Sequence, residues 1–90
     1  MSSAWTLDFT PKALRQLRKL DRTVSRKILD TLERDLARHE NPRDFGEPMM
    51  GNWTGYWRYR IGDYRAICRI EDAVVTVFVI EVGHRREIYR

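Results

Sequence analysis

The stretch GYWRYRIGDYR, residues 55–65, constrains the fold more than any other part of the chain. Two runs of alternating aromatic, aliphatic and charged residues flank Gly62-Asp63, a dipeptide suited to a two-residue hairpin in which glycine supplies a positive φ at the first position. Closing that turn sets Ile61 opposite Tyr64, and the pairing then runs outward residue by residue. One face must carry Trp57, Tyr59 and Ile61 with Tyr64, Ala66 and Cys68. The other must carry Tyr56, Arg58 and Arg60 with Arg65, Ile67 and Arg69. The apolar face needs a covering layer. On the charged face Arg60 stands directly opposite Arg65, and like charges so placed destabilise a strand pair by a few tenths to about 1 kcal/mol. With strands at 56–61 and 64–70, no acid on either strand shares that face. Four arginines and a tyrosine gathered without counter-ions suit an anionic substrate or partner. The competing explanation is that arginine stems cover the face while their heads stay in water.

The layer that covers the apolar face precedes the hairpin. Trp5, Leu7 and Phe9 alternate with polar residues as a short strand. Thr10 and Pro11 then form a helix start, an N-cap hydroxyl followed by proline at the first helical position, with Leu14, Leu17 and Leu20 as the apolar stripe. Asp21 caps a second helix in which Val24, Ile28, Leu32 and Leu36 recur every four residues, leaving Arg22, Arg26, Lys27, Glu33 and Arg34 as a solvated face. The segment HENPRDFGEPMMGNWTG holds two prolines, three glycines and two asparagines and reads as a long loop, long enough to shape a binding surface. After the hairpin, Glu71-Asp72-Ala73 is a second turn before a strand at 74–82. The order is β-α-α-β-β-β: an α+β domain over residues 1–90, two N-terminal helices packed on a mainly antiparallel four-stranded sheet, with the first strand on an edge.

Charge and cysteine content narrow the function. The 90 residues carry 17 Lys and Arg against 13 Asp and Glu, a formal +4 with a pI near 9.6, and this balance favours polyanions. Only Lys12, Lys19 and Lys27 are lysines, so arginine, whose planar fork suits phosphate, dominates. Cys68 is alone, which excludes an internal disulfide and fits a reducing cytoplasm. It falls on the apolar face, as a buried thiol rather than a nucleophile. MSSAWTLDF lacks the features of a signal peptide, and no apolar run approaches the roughly 18 residues of a membrane span. His39 closes the second helix as a partner for its dipole. Asp30, Glu33, Asp35, Asp44 and Glu47 have no histidine at ligand spacing, so neither a metal nor another cofactor is implied. Met49, Met50, Trp53 and Trp57 read as packing or loop anchors, and Tyr56 as a platform on which a base can stack.

The chain closes with EVGHRREIYR. Gly83 is placed to end the last strand, and His84, Arg85, Arg86, Tyr89 and Arg90 follow on the side of the sheet that holds the Gly62 turn. The tail can therefore fold toward Arg60 and Arg65.

LDFTPKALRQLRKLD, YRIGDYRAICRIED and VFVIEVGHRREIY together resemble the RelE/ParE superfamily of bacterial toxins, and in particular its RelE-like mRNA interferases. The resemblance spans nearly the whole chain. It implies a fold like that of microbial ribonucleases, cleavage of mRNA in the ribosomal A site, contacts to 16S rRNA, and a hetero-oligomer with a cognate antitoxin in the cytoplasm. Carried over residue by residue, the catalytic arginine of the hairpin falls on Arg65, the arginine after the last strand on Arg85, and the late catalytic tyrosine on Tyr89. Two family lysines fall on Tyr56 and Arg58, which leaves a cation at only one of them. His84 takes the place of a basic residue and is catalytic in some relatives. The extra C-terminal helix of some members has no counterpart before Arg90.

Cleavage of RNA by its own 2′-hydroxyl needs a base, stabilisation of phosphoryl charge, and an acid for the leaving 5′-oxygen. Arg58, Arg65 and Arg85 suit the phosphate, with Arg60, Arg69, Arg86 and Tyr56 as further RNA contacts. Tyr89 is the preferred base, since nearby cations favour phenolate, and His84 competes with it because histidine titrates near neutrality unaided. Arg85 is the candidate for the leaving oxygen. The alternative function is that of a ParE-like protein that inhibits DNA gyrase by binding, without catalysis. A plain RNA-binding module is the third.

Overall fold

The computed structural model describes residues 4–86. Strand β1 (Thr6–Phe9) leads into Thr10, whose hydroxyl accepts from the Ala13 N–H at 3.2 Å. With Pro11 in the first turn, that cap starts α1 (Pro11–Lys19). Asp21 accepts from the Thr23 N–H at 3.1 Å and starts α2 (Arg22–Arg38). His39 ends α2 with its Nδ1 donating to the Asp35 carbonyl at 2.8 Å. Ala13 and Leu17 from α1 and Ile28, Leu32 and Leu36 from α2 are buried against the sheet in one core with Tyr59, Ala66, Cys68, Val77, Val79 and Val82. Burial pushes the Cys68 thiol well above its ordinary pKa.

The sheet has five strands, not four, in the order β1-β5-β4-β3-β2. The extra strand is β2 (Glu47–Pro48), from the segment read as loop. Two residues show no alternation, and Pro48 is tolerated because β2 lies on the edge. The others are β3 (Trp57–Ile61), β4 (Tyr64–Glu71) and β5 (Thr76–His84). β1 runs parallel to β5, and the remaining pairs are antiparallel. Two boundaries differ from expectation in ways that bear on function. β4 extends to Glu71, which adds an acid to the charged face. β5 runs through Gly83 to His84, where pairing of Gly83 with Arg65 and of His84 with Tyr64 keeps the backbone extended.

The hairpin has the expected register, Ile61 with Tyr64 and Arg60 with Arg65. Gly62 has φ 59° and Asp63 has no positive φ, the pattern of a II′ turn. Between β4 and β5 the register shifts: Ile67 pairs with Glu81 but Cys68 with Val79, so Ile80 is the extra residue of a bulge. The bulge lets Val79 and Val82, three positions apart, both reach the core. β1 ends at Phe9, and α1 covers the edge of β5 beyond it. There Thr10 Oγ1 donates to the Ile80 carbonyl at 3.0 Å, and Gln16 Oε1 accepts from the Val82 N–H at 2.7 Å.

A turn at Pro42–Phe45 pins the long segment beside α2. The buried Tyr59 hydroxyl donates to the Pro42 carbonyl at 2.9 Å, and the Phe45 ring lies 4.8 Å from that of Tyr59. Gly46 is required by this contact, since a Cβ there would lie 2.6 Å from Tyr59 Cε1.

Candidate active site on the arginine face

The sheet face opposite the helices takes Arg58 and Arg60 from β3 and Arg65, Ile67 and Arg69 from β4, as the alternation of the hairpin dictates. It is not bare. Met49 folds onto the fully buried Ile67, and Trp53 and Tyr56 pack around that pair. Tyr56 precedes β3, with its ring edge-on to Trp53 at 5.4 Å. The small cluster divides the charges in two. Arg69 lies beyond it on β4, its Nε 2.5 Å from Glu71 Oε1 and its guanidinium 5.4 Å from the Phe78 ring centroid. Arg58, Arg60 and Arg65 lie on the side of the Gly62 turn.

Arg65 is the unusual member. It is only 8% exposed, and its Nη1 donates to the carbonyls of Gly62 and Tyr64, each at 3.0 Å. Two fixed carbonyls therefore aim the guanidinium, and Gly83, its partner on β5, presents no side chain at that register position. Among the described residues no carboxylate is bonded to Arg65. A buried cation without a counter-ion costs several kcal/mol of desolvation that a bound anion can offset.

The acid that tempers the other arginines is Glu47. It pairs with Arg58 across β2 and β3, and its carboxylate meets Arg60 Nε at 2.5 Å and Arg58 Nη2 at 3.5 Å. The hydrogen bond from Arg60, reinforced by the charges of Arg60 and Arg58, holds the Glu47 carboxyl below its usual pKa. Sequence reasoning missed Glu47 as a site residue. The available signal was its position ten residues before the arginine-rich strand, next to a proline that an edge strand accepts.

The end of β5 reaches the same turn. The Arg85 N–H donates to the Asp63 carbonyl at 2.9 Å, which sets Arg85 and Arg86, both exposed, beside Gly62-Asp63. His84 is not on the arginine face. It occupies the helix-side position opposite Tyr64, edge-on to that ring at 5.6 Å, and its Nδ1 accepts from the Arg86 N–H at 3.2 Å. Tyr89 and Arg90 lie outside the described residues. Among the described residues no group of three His, Cys, Asp or Glu side chains is gathered to hold a metal, and no helix is long and apolar enough to cross a membrane.

The chain is thus a small two-layer α+β domain whose sheet carries a basic face around a buried arginine. Residues 7–89 match the family of ParE toxins of type II toxin-antitoxin systems, parDE, and the chain belongs to that family. Toxin RelG of Mycobacterium tuberculosis is 35% identical over 86 residues, covering 96% of this chain and 97% of that one. The mRNA interferase toxin RelE of Escherichia coli is 36% identical over 89 residues, covering 96% and 90%. In solved structures, the toxin-antitoxin complex RelBE2 of M. tuberculosis holds a chain that matches with a TM-score of 0.82 and 31% identity, over 97% of this chain and 98% of that one. The protein is thus a toxin of a type II toxin-antitoxin module, related to RelE.

Proposed function

We propose that this toxin, a single domain over residues 1–90, is a cytoplasmic endoribonuclease that cleaves mRNA in the A site of the ribosome and is held inactive by a cognate antitoxin. The observation that carries the reading is Arg65: buried, aimed by two backbone carbonyls, directly opposite Arg60 and without a carboxylate of its own among the described residues. The description of the relative RelE as an mRNA interferase supports the same chemistry.

In the proposed reaction the 2′-oxygen attacks the adjacent phosphorus, a base takes its proton, and the bond to the 5′-oxygen breaks as that oxygen gains a proton. The products are a 2′,3′-cyclic phosphate and a 5′-hydroxyl. Arg65 and Arg58 neutralise charge on the non-bridging oxygens, an effect worth about 3 to 4 kcal/mol for a well-placed donor. Arg85, beside the turn, serves the leaving oxygen. Tyr89 is the proposed base, because His84 faces the helix side of the sheet. The scheme runs through side chains alone. Codon placement on the ribosome supplies the alignment that so open a face does not.

A translation reaction with end-labelled mRNA tests this reading. Discrete shortened fragments are expected, absent when the antitoxin is added. Membership of a family named for ParE favours gyrase inhibition as the second reading. Intact mRNA, together with loss of supercoiling by purified gyrase, would establish that one instead.

A further inference from the structure

The chain leaves β5 through His84, Arg85 and Arg86, and an imidazole between a glycine and two arginines invites an acid or base role. Its geometry gives it another. In the antiparallel ladder His84 pairs with Tyr64, on the helix side of the sheet, while Gly83 pairs with Arg65 on the arginine face. The imidazole stands edge-on to the Tyr64 ring, with centroids 5.6 Å apart. Its Nδ1 accepts from the backbone N–H of Arg86, two residues on, at 3.2 Å. A side-chain acceptor that takes the N–H two residues later closes the same ring as an Asx turn, the device by which asparagine and aspartate start turns. With Nδ1 accepting, the ring carries its proton on Nε2.

Arg85 sits inside that turn. It is exposed, and none of the described residues bonds its guanidinium, so the backbone alone sets where it stands. Two residues after Gly83, Arg85 is in the phase of β5 that serves the arginine face. Two bonds fix the backbone there. The Arg85 N–H donates to the Asp63 carbonyl at 2.9 Å, which ties it to the hairpin turn whose Gly62 carbonyl takes Arg65 Nη1 at 3.0 Å. The Arg86 N–H donates to His84 and closes the chain after it. Arg65 and Arg85 are thus both referenced to Gly62-Asp63, and loosening the His84 bond releases only Arg85. A base role for the imidazole meets two obstacles: Nδ1 takes a proton only by giving up the Arg86 N–H, and the ring lies on the opposite side of the sheet from Arg58, Arg60 and Arg65.

We propose that His84 is a positioning residue: its neutral imidazole caps the turn after β5 and holds Arg85 in place for the leaving 5′-oxygen, an assignment that rests on the RNA-cleaving function. The ring gains and loses no proton in the reaction and acts through Arg85. Asparagine can replace it in this role, since its Oδ1 stands as many bonds from the backbone as Nδ1 does. Misplacing a catalytic group by about 1 Å costs up to about a hundredfold in rate, so a single capping bond that adds little to stability still governs the chemical step.

The test compares the full-length protein with His84→Phe, which keeps an aromatic ring against Tyr64 and loses the acceptor, and with His84→Asn, which keeps an acceptor and loses the ring. Single-turnover cleavage is measured on mRNA-programmed 70S ribosomes, and affinity separately on ribosomes whose mRNA carries a 2′-deoxy nucleotide at the cut site. His84→Phe should cut about ten- to a hundredfold more slowly at unchanged affinity, and His84→Asn should recover most of that loss. In nitrogen-15-labelled protein the imidazole should show Nδ1 as the unprotonated nitrogen, and the Arg86 amide should exchange with solvent faster in His84→Phe than in the parent or in His84→Asn. Cleavage equally slow in both variants would overturn the assignment and return the imidazole to proton transfer. So would full activity in both, a loss confined to affinity, or a protonated Nδ1. An unmodified protein that never cuts mRNA would overturn the cleavage reading and the role of the cap in catalysis with it, while the imidazole and amide signals still report whether the cap itself forms.

Discussion

Glu47 Oε1 lies 2.5 Å from Arg60 Nε, and Glu47 Oε2 lies 3.5 Å from Arg58 Nη2, so one carboxylate on an edge strand occupies two arginines of the candidate site. A phosphate approaching that face competes with Glu47 for the same donors. Glu47→Gln should therefore tighten binding of RNA to an Arg65→Ala background by about two- to fivefold, the range expected for loss of an exposed competing pair. Fluorescence anisotropy with a labelled oligonucleotide reads this directly, and weaker binding would show that Glu47 orients the arginines instead of masking them.

The same pair sets a pH dependence. The hydrogen bond from Arg60 depresses the pKa of Glu47 in the folded state below the ordinary glutamate value near 4.5. Its contribution to stability is thus fully present above about pH 4.5 and lost as pH falls through the folded value. Between pH 5 and 3 the melting temperature of Glu47→Gln should fall less steeply than that of the unmodified protein. Parallel curves would contradict the assignment.

Arg65 separates stability from activity. Replacing it with Met removes two bonds to carbonyls, but also a buried charge that faces Arg60. Thermal unfolding should stay within about 4 °C of the parent, a change of about 0.5 to 1 kcal/mol for a domain of this size. Cleavage should fall by about a hundredfold or more. A large loss of stability would make Arg65 a structural residue.

Much of this site is legible in the sequence, and the physical reason is locality. Gly62-Asp63 admits one turn, the turn admits one register, and period-two alternation then assigns each residue from Trp57 to Cys68 to a face. Thr10 with Pro11, and Asp21, are equally local signals. What escapes is non-local. β2 is two residues long and exists only because β3 offers it an edge, so Glu47 gives no pattern of its own. His84 changes face because β5 runs straight through Gly83, a choice made by pairing with β4 rather than by glycine's own preference.

Gly46 and Tyr59 form a test of packing around the long segment. Gly46→Ala forces a Cβ toward the Tyr59 ring and should destabilise the fold by about 1 to 3 kcal/mol, the usual cost of overpacking. Tyr59→Phe leaves the buried Pro42 carbonyl without its donor and should cost about 1 to 2 kcal/mol. Urea unfolding of each variant measures both.

Cys68 is fully buried, and burial raises its pKa. Ellman's reagent should leave the native protein unlabelled at pH 8 and react with one thiol per chain once the protein is unfolded in guanidinium. Rapid labelling of the native state would place Cys68 outside the core.

The measurement that bears most directly on the arginine face is primer extension on mRNA in a reconstituted translating ribosome, comparing the unmodified protein with Arg65→Ala. Codon-phased cuts that vanish in the variant are expected. Intact mRNA with unmodified protein that still arrests growth would contradict cleavage by this face and move the function to gyrase.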